Sequence, residues 1–316
     1  MKLTSLPQAR ILVLCILWLA LLGLMALFEP AIFQPAVLRS ILQFSTVLAL
    51  VSLGQALVVL GGGAGIDLSV GAMVSLVAIL SMLAVQAGLP GFLLPPLAIL
   101  LGALLGLGNG LLVTRLGLLP LIATLGTLFL YGGLALAITG GSPVPGVPRW
   151  LFPFGRGTLG LLPWHFLAFV LPAFLLAALI LGQSAWGRWI RAMGFRENAA
   201  RLAGIPVARV RLLLYTASGL LAGLAALVTL AWFGSARPNI GQNLELESLA
   251  AVLVGGVSIL GGAGGVGGVL AAVLFIVSLK TAMQFSNIAA TWQVGAVGLL
   301  LILVLLLDRR TARWNA

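Results

Sequence analysis

Charge is scarce in this sequence. Of its 316 residues 7% are charged, only six are acidic, and 61% are apolar. A water-soluble domain carries about a quarter charged residues and about half apolar ones. So little polar surface excludes a soluble globule of this length and leaves lipid as the solvent. Cysteine occurs once, as Cys15 inside an apolar run. A lone cysteine excludes an intrachain disulfide and a cysteine metal cluster, and reads as a small buried apolar residue. Histidine also occurs once, as His165 beside Trp164. It excludes a multi-histidine metal site and a Ser/His/acid or Cys/His catalytic set, and reads as an interfacial aromatic-like residue. No Gly-Lys-Ser/Thr phosphate loop is present, so the chain lacks that machinery for hydrolysing ATP. No metal, no cofactor and no bond chemistry are expected.

What the sequence has instead is long apolar runs. Ile11–Leu27, Leu93–Leu105, Phe166–Leu181 and Val297–Leu307 hold no charge. Crossing a hydrocarbon core of ~30 Å takes about 20 mostly apolar residues in a helix. The pattern predicts an all-α, polytopic membrane helix bundle of about ten transmembrane helices. They fall near 11–28, 37–60, 68–87, 93–113, 119–138, 164–182, 212–233, 248–260, 264–283 and 290–307. The first follows Lys2 and Arg10, is too long for a signal-peptide core and has no A-x-A site after it, so it reads as an uncleaved membrane helix. The segment 248–260 is short for a full span, and a broken or re-entrant helix is open there.

Charge placement sets an orientation. The net charge is +11, but the basic residues sit at the ends of apolar runs, which argues for topology and against nucleic acid as a partner. With the N-terminus inside, twelve of the seventeen Lys and Arg fall on inner segments and five, including Lys280 near a helix end, on outer ones. Cytoplasmic loops are enriched in Lys and Arg, so both termini are expected to be cytoplasmic. Gly102, Gly106 and Gly110 share one helical face, as do Gly219 and Gly223. Small residues at that interval predict close helix packing.

Four segments carry more than packing. In Gly61-Gly62-Gly63-Ala64-Gly65-Ile66-Asp67-Leu68-Ser69-Val70-Gly71, Asp67 is the only carboxylate between Glu29 and Glu197. A carboxylate near membrane depth is capping, paired or functional. Thr124, Thr127 and Tyr131 stand at i, i+3 and i+7 on one helical face. Their hydroxyls either line a polar path or bond within and between helices. With Asp67 they are the candidate substrate-path residues. In the arginine-rich stretch Gly187–Tyr215, a short helix beginning near Arg196 would end at Gly204, with Pro206 forbidding continuation. Such a helix suits either a cytoplasmic partner or a lipid surface. Gly262-x-Gly264-x-x-Gly267 matches a dinucleotide pattern formally, but it lacks the strand and the acid that pattern needs, and it reads as a tight turn with close helix packing.

Taken in order, these segments resemble the ribose-type (monosaccharide) ABC transporter permeases. Gly65-Ile66-Asp67-Leu68-Ser69-Val70-Gly71 is similar to that family's G-I-D-L-S-x-G signature. Pro120–Thr127 is similar to its P-x-I-x-T-L-G-T stretch, Asn198–Pro206 to its cytoplasmic coupling segment, and Gly255–Gly268 to its C-terminal glycine stretch. Phe233–Gly241 resembles the rhamnose and autoinducer-2 branches most. Ala64 is one residue more than the family's usual Gly-Gly-Ile-Asp turn.

The resemblance implies a single permease domain over 1–316, in the inner membrane of a bacterium. It would work with ABC ATPase subunits, a solute-binding protein and a second permease copy or homologue. It implies a coupling segment over about 184–211, with Arg196, Glu197, Asn198, Arg201 and Gly204 meeting the ATPase. Arg237, Glu245 and Glu247, in the outer polar stretch, are candidates for meeting the binding protein. Alternatives are the same scaffold carrying nucleosides or branched-chain amino acids, or an ion-driven secondary transporter. The latter usually needs buried ion ligands near the midplane, and no acid falls in the middle of an expected helix.

Overall fold

A computed structural model describes residues 33–314 together with 14, 16, 18–23, 25 and 26. Lys2, Arg10, Cys15, Glu29 and Pro30 lie outside the described residues, as do much of the expected first helix and the side chains of Arg309, Arg310 and Arg313. Within the described part of that first segment, the indole N–H of Trp18 donates to Ser278 Oγ at 3.2 Å.

Proline opens several helices and glycine closes them. Helix α1 spans Pro35–Leu60, α2 Val70–Gln86, α3 Leu94–Thr114 and α4 Pro120–Thr139. The first positions of α1, α3 and α4 hold proline, whose missing N–H costs nothing there. Gly140 ends α4 in the left-handed region at φ 59°. The long Gly/Pro-rich connection that follows is not featureless. It holds β1 (Val144–Pro145), α5 (Phe152–Arg156) and a hairpin of β2 (Thr158–Leu159) with β3 (Leu162–Pro163).

A five-residue π turn at Phe166–Val170 leads into α6, Leu171–Gln183. Then come α7 (Ala185–Phe195), α8 (Glu197–Leu202) and α9 (Val207–Phe233). The next element, β4 (Ser235–Ala236), pairs antiparallel with β1. The chain closes with α10 (Leu244–Val254), α11 (Val266–Phe285) and α12 (Ala290–Trp314).

The molecule is an all-α membrane helix bundle. Among the described residues six helical stretches are long and apolar enough to cross a membrane: Pro35–Leu60, Gly91–Thr114, Pro120–Thr139, Phe166–Gln183, Val207–Phe233 and Val266–Phe285. Two expectations need correction. Helix α9 starts at Val207 rather than 212 and so includes Arg209 and Arg211. The helix expected at 248–260 runs instead from Leu244 to Val254. Its 11 residues rise about 16 Å, half a hydrocarbon core. Asn243, left-handed at φ 69°, starts it, and Glu245 and Glu247 complement the positive end of the helix dipole. Gly256, at φ 87°, turns the chain away after it.

The two glycine stripes meet. A Cβ on Gly102 would fall 2.8 Å from Gly223 Cα, and one on Gly106 2.9 Å from Gly219 Cα. Helices α3 and α9 therefore touch backbone to backbone, which is how helices gain dispersion energy where lipid is as apolar as their side chains. Helix α9 also lies against α1 and α2, and it forms the centre of the bundle. At one end of the bundle, β1 pairs with β4 and Gln86 donates to Pro145 O at 2.9 Å. At the other, arginine-rich end, two glycine turns crowd against the last turn of α7: a Cβ on Gly62 would lie 2.6 Å from Gly194 Cα, and Gly262 N–H donates to Leu60 O at 3.0 Å.

Candidate functional site

The arginine-rich end is built around α8. Arg196 is extended and caps it, and Glu197 is its first residue. It stops in a Schellman arrangement: Ile205 N–H donates to Ala200 O and Gly204 N–H to Arg201 O, both at 3.0 Å. Gly204 sits at φ 80°, so the helix ends where the sequence places its end. Glu197 binds two arginines. It accepts from Arg211 Nη2 at 2.6 Å and from Arg201 Nη2 at 2.7 Å. Those bonds, Arg211's first, hold its carboxyl below the ordinary carboxylate value. Arg211 is the partner that sequence reasoning missed. It tethers α8 to α9, and starting α9 at Val207 brings it within reach.

The outer face of α8 is bare. Arg196, Asn198, Arg201 and Gly204 are exposed, and Leu202 is 91% exposed, with Phe195 at 67%. Leu202 thus protrudes as an apolar side chain between the exposed Arg196 and Arg201. Nothing in sequence spacing distinguished Leu202 from a helix-packing leucine. Beneath α8, the amphipathic α7 buries Ile190 and Met193, and Ser184 caps it by accepting from Gly187 N–H at 3.1 Å.

The Gly61–Ser69 loop lies directly under this ion pair. A Cβ at Gly63 would fall 2.5 Å from Arg211 Nη2 and 3.2 Å from Glu197 Oε2, so only glycine leaves room for the pair. Gly62, Gly63 and the extra residue Ala64 are all left-handed, Ala64 at φ 54°, a conformation that costs alanine about 1–2 kcal/mol. Three left-handed residues coil the loop tightly and deliver Asp67 into the bundle.

Asp67 is fully buried. It does not cap α2; Ser69 holds that position. Its Oδ1 accepts from Ser69 N–H at 3.1 Å, Ser69 Oγ at 2.7 Å and Asn109 Nδ2 at 3.4 Å, and its Oδ2 accepts from Ser218 Oγ at 3.1 Å. Asn109 also donates to Ser69 Oγ at 2.6 Å. One carboxylate thus joins the loop, α3 and α9.

The hydroxyl stripe meets the same network. Tyr131 OH lies 3.4 Å from Asn109 Oδ1 and 3.2 Å from Leu105 O. Thr124 Oγ1 reaches Ile66 O at 3.1 Å and its own helix at Pro120 O, and Thr127 bonds back to Thr124 O at 3.2 Å. Asp67, Thr124 and Tyr131 are therefore brought together, with Thr127 one turn behind. Asn109 and Ser218 are the members that sequence reading missed. A single asparagine in the apolar run 93–113 was the available signal for the first; nothing marked the second.

The outer-loop candidates separate. Arg237 is exposed and stacks over the Phe233 ring at 5.0 Å. Glu245 is half-buried, its carboxylate close to where a Cβ of Gly71 would fall. Glu247 is only 8% exposed and accepts from Lys280 Nζ at 2.6 Å, which makes it an internal ion-pair partner. His165 is also internal rather than interfacial: it is buried, with Nδ1 2.9 Å from Thr46 Oγ1. The Gly255–Gly268 stretch is a turn with close packing, since a Cβ on Gly255 would lie 2.6 Å from Val269 Cα.

Comparison with known proteins gives this architecture a family. Residues 37–305 match the family described as branched-chain amino acid transport system / permease component. The chain is 36% identical over 267 residues to the ribose import permease protein RbsC of Bacillus subtilis, covering 83% of this chain and 81% of that one. It is 36% identical over 262 residues to the autoinducer 2 import system permease protein LsrD of Photorhabdus luminescens, covering 81% and 78%. It is also 36% identical over 280 residues to the probable ABC transporter permease protein y4mJ of Sinorhizobium fredii, covering 85% and 80%. No solved structure matches. With a family match over most of its length, relatives of this similarity and a membrane bundle whose glycine loop meets an arginine-rich helix, this chain belongs to the branched-chain amino acid transport system / permease component family and is a permease subunit of an ABC importer, a transport component rather than an enzyme.

Proposed function

We propose that this subunit carries a monosaccharide or sugar-like solute inward across the inner membrane of a bacterium. It does so as a single permease domain with about ten crossings and both termini in the cytoplasm. The identity to ribose and autoinducer 2 import permeases supports the solute class. The gathering of Leu60, Gly194, Gly262, Glu197 and Arg211 at one end, and of β1 with β4 at the other, supports the orientation, because the segments expected on the inner side meet at the arginine-rich end and those expected on the outer side meet at the opposite end.

The observation that carries the reading is α8. An exposed leucine rides on a helix clamped by Glu197 to Arg211 and Arg201. The ATPase subunit takes Leu202 into an apolar recess, ringed by Arg196, Asn198, Arg201 and Gly204. Glu197 and Arg211 pass its movement to Gly63, and the loop passes it to Asp67, which ties α3 to α9. The network of Asp67, Asn109, Ser218, Thr124, Thr127 and Tyr131 is the inner seal of the solute path, closed in this conformation. A second permease copy completes the path. The exposed Arg237 meets the solute-binding protein, while Glu245, packed at Gly71 in the first turn of α2, and Glu247 serve inside.

The test is co-purification. Leu202→Glu, and separately the triple change of Glu197, Asn198 and Arg201 to Ala, should release the ATPase from a permease that still inserts and elutes as a single species. A tightly bound ATPase with unchanged solute-stimulated ATP hydrolysis in both variants would defeat the reading.

A further inference from the structure

A cavity of about 570 Å³ opens beside α10, within the ~300–1,000 Å³ typical of small-molecule sites. Helices α1, α9, α10, α11 and α12 form its walls. Trp232 is one wall, its ring held edge-on by Phe44 at 4.7 Å and 71°. Within an otherwise largely apolar lining, Glu247, Lys280, Gln284 and Gln293 supply polar groups that reach beyond their own backbone. The first turn of α10, which carries Glu247, lies at the start of a half-length helix. Interrupted helices of this kind place their ends at midmembrane sites in transporters.

The ion pair is the informative feature. Burying Glu247 beside a Lys280 that stays partly exposed is costly, and an apolar pair of the same volume would often be at least as stable. Their place on a cavity wall gives them something else to do. Lys280 spends one donor on Glu247 Oε1 at 2.6 Å; an ammonium has three donors and a carboxylate two acceptor oxygens. Together they offer donors and acceptors with no net charge. A cationic or anionic solute would have to break the pair, whereas hydroxyl groups can bond both members. Trp232, packed against both Phe44 and Phe233 with ring centroids 4.7 Å apart, forms with them an apolar, rigid surface for a ring carrying C–H bonds on one side. By contrast, the polar atoms of the Asp67 network already bond one another.

Resting on the importer reading above, we infer that this cavity is the solute-contacting surface, and that it takes a neutral polyhydroxylated ring. Trp232 stacks on the ring, and Glu247, Lys280 and Gln284 bond its hydroxyls.

The experiment uses the complete importer, permease with ATPase and binding protein, in proteoliposomes. Uptake of labelled D-ribose, L-rhamnose and D-xylose is compared with that of charged D-gluconate and D-glucosamine. The expected result is ATP-dependent uptake of at least one neutral sugar and of neither charged one. Uptake per ATP hydrolysed falls tenfold or more in Trp232→Ala and Glu247→Gln, and less in Trp232→Phe. Gln284→Leu, at an exposed side chain, should show the same loss with an unchanged elution profile, which separates solute contact from misfolding. Uptake per ATP within twofold of the parent in Trp232→Ala and Gln284→Leu overturns the inference. So does preferential uptake of a charged solute, or failure to carry any of the neutral sugars. ATP hydrolysis uncoupled from the permease in the unsubstituted complex would instead overturn the importer reading.

Discussion

Replacing Asp67 in two ways separates its hydrogen bonds from its charge. Asp67→Ala removes the acceptor for Ser69 N–H and Ser218 Oγ. Asn109 still donates to Ser69 Oγ at 2.6 Å, but the Ser69 hydroxyl proton loses its acceptor as well. Three buried donors are then orphaned, at about 1–3 kcal/mol each, a loss of about 3–9 kcal/mol. Asp67→Asn keeps an oxygen for Ser69 and Asn109, and the Ser218 hydroxyl can turn to accept from the new amide. The second amide N–H and the Ser218 proton must find new acceptors, but a buried charge disappears, so the loss should be clearly smaller than alanine's, at about 1–2 kcal/mol. Melting of the purified permease in detergent reads the difference. Asp67→Ala should melt lower by on the order of 5–10 °C, and Asp67→Asn by clearly less. An alanine variant as stable as the parent, or an asparagine variant worse than alanine, would refute the account of Asp67 as a neutral-tolerant crosslink between the loop, α3 and α9.

Three further outcomes follow from the same geometry. Gly106→Leu should prise α3 from α9, because even a Cβ there would lie 2.9 Å from Gly219 Cα; overpacking costs about 1–3 kcal/mol, visible as a lower melting temperature, whereas Gly126→Leu, with nothing within 4 Å, should not. Glu197 is held below its ordinary value of 4.5 by Arg211 and Arg201, so its contribution is present above that value and is lost as pH falls through the depressed one. Protease resistance of the 184–211 segment should thus be flat from neutral pH to about 5 and fall only in stronger acid; a change between pH 6 and 8 would contradict it. Lys280→Met leaves Glu247 alone in a largely buried position, and the double change with Glu247→Gln should recover most of the lost thermal stability; a double variant worse than the single would contradict the pairing.

Much of the bundle was legible in the sequence because lipid imposes simple rules: apolar length gave six spans among the described residues, small-residue spacing marked α3 and α9 as close-packing faces without naming each as the other's partner, and Gly204 with Pro206 gave the end of α8. The polar interior was not legible. Asp67, Asn109 and Ser218 lie 42 and 151 positions from one another's bonds, and no local pattern encodes which buried polar residue will answer which. Helix α10 was displaced because Gly241–Glu247 looks like a polar loop in isolation. Only in the fold do Lys280 and the positive helix end accommodate its acids. Leu202 carried no signal at all, since exposure is decided by what α8 packs against.

The central claim, that α8 faces the cytoplasm as a docking point for a motor, has a direct test. In a Cys15→Ala background, Leu202→Cys is treated with a membrane-impermeant maleimide. The account predicts labelling in inside-out vesicles, suppressed when the ATPase is bound, and none in intact cells. Labelling of intact cells from outside would contradict it.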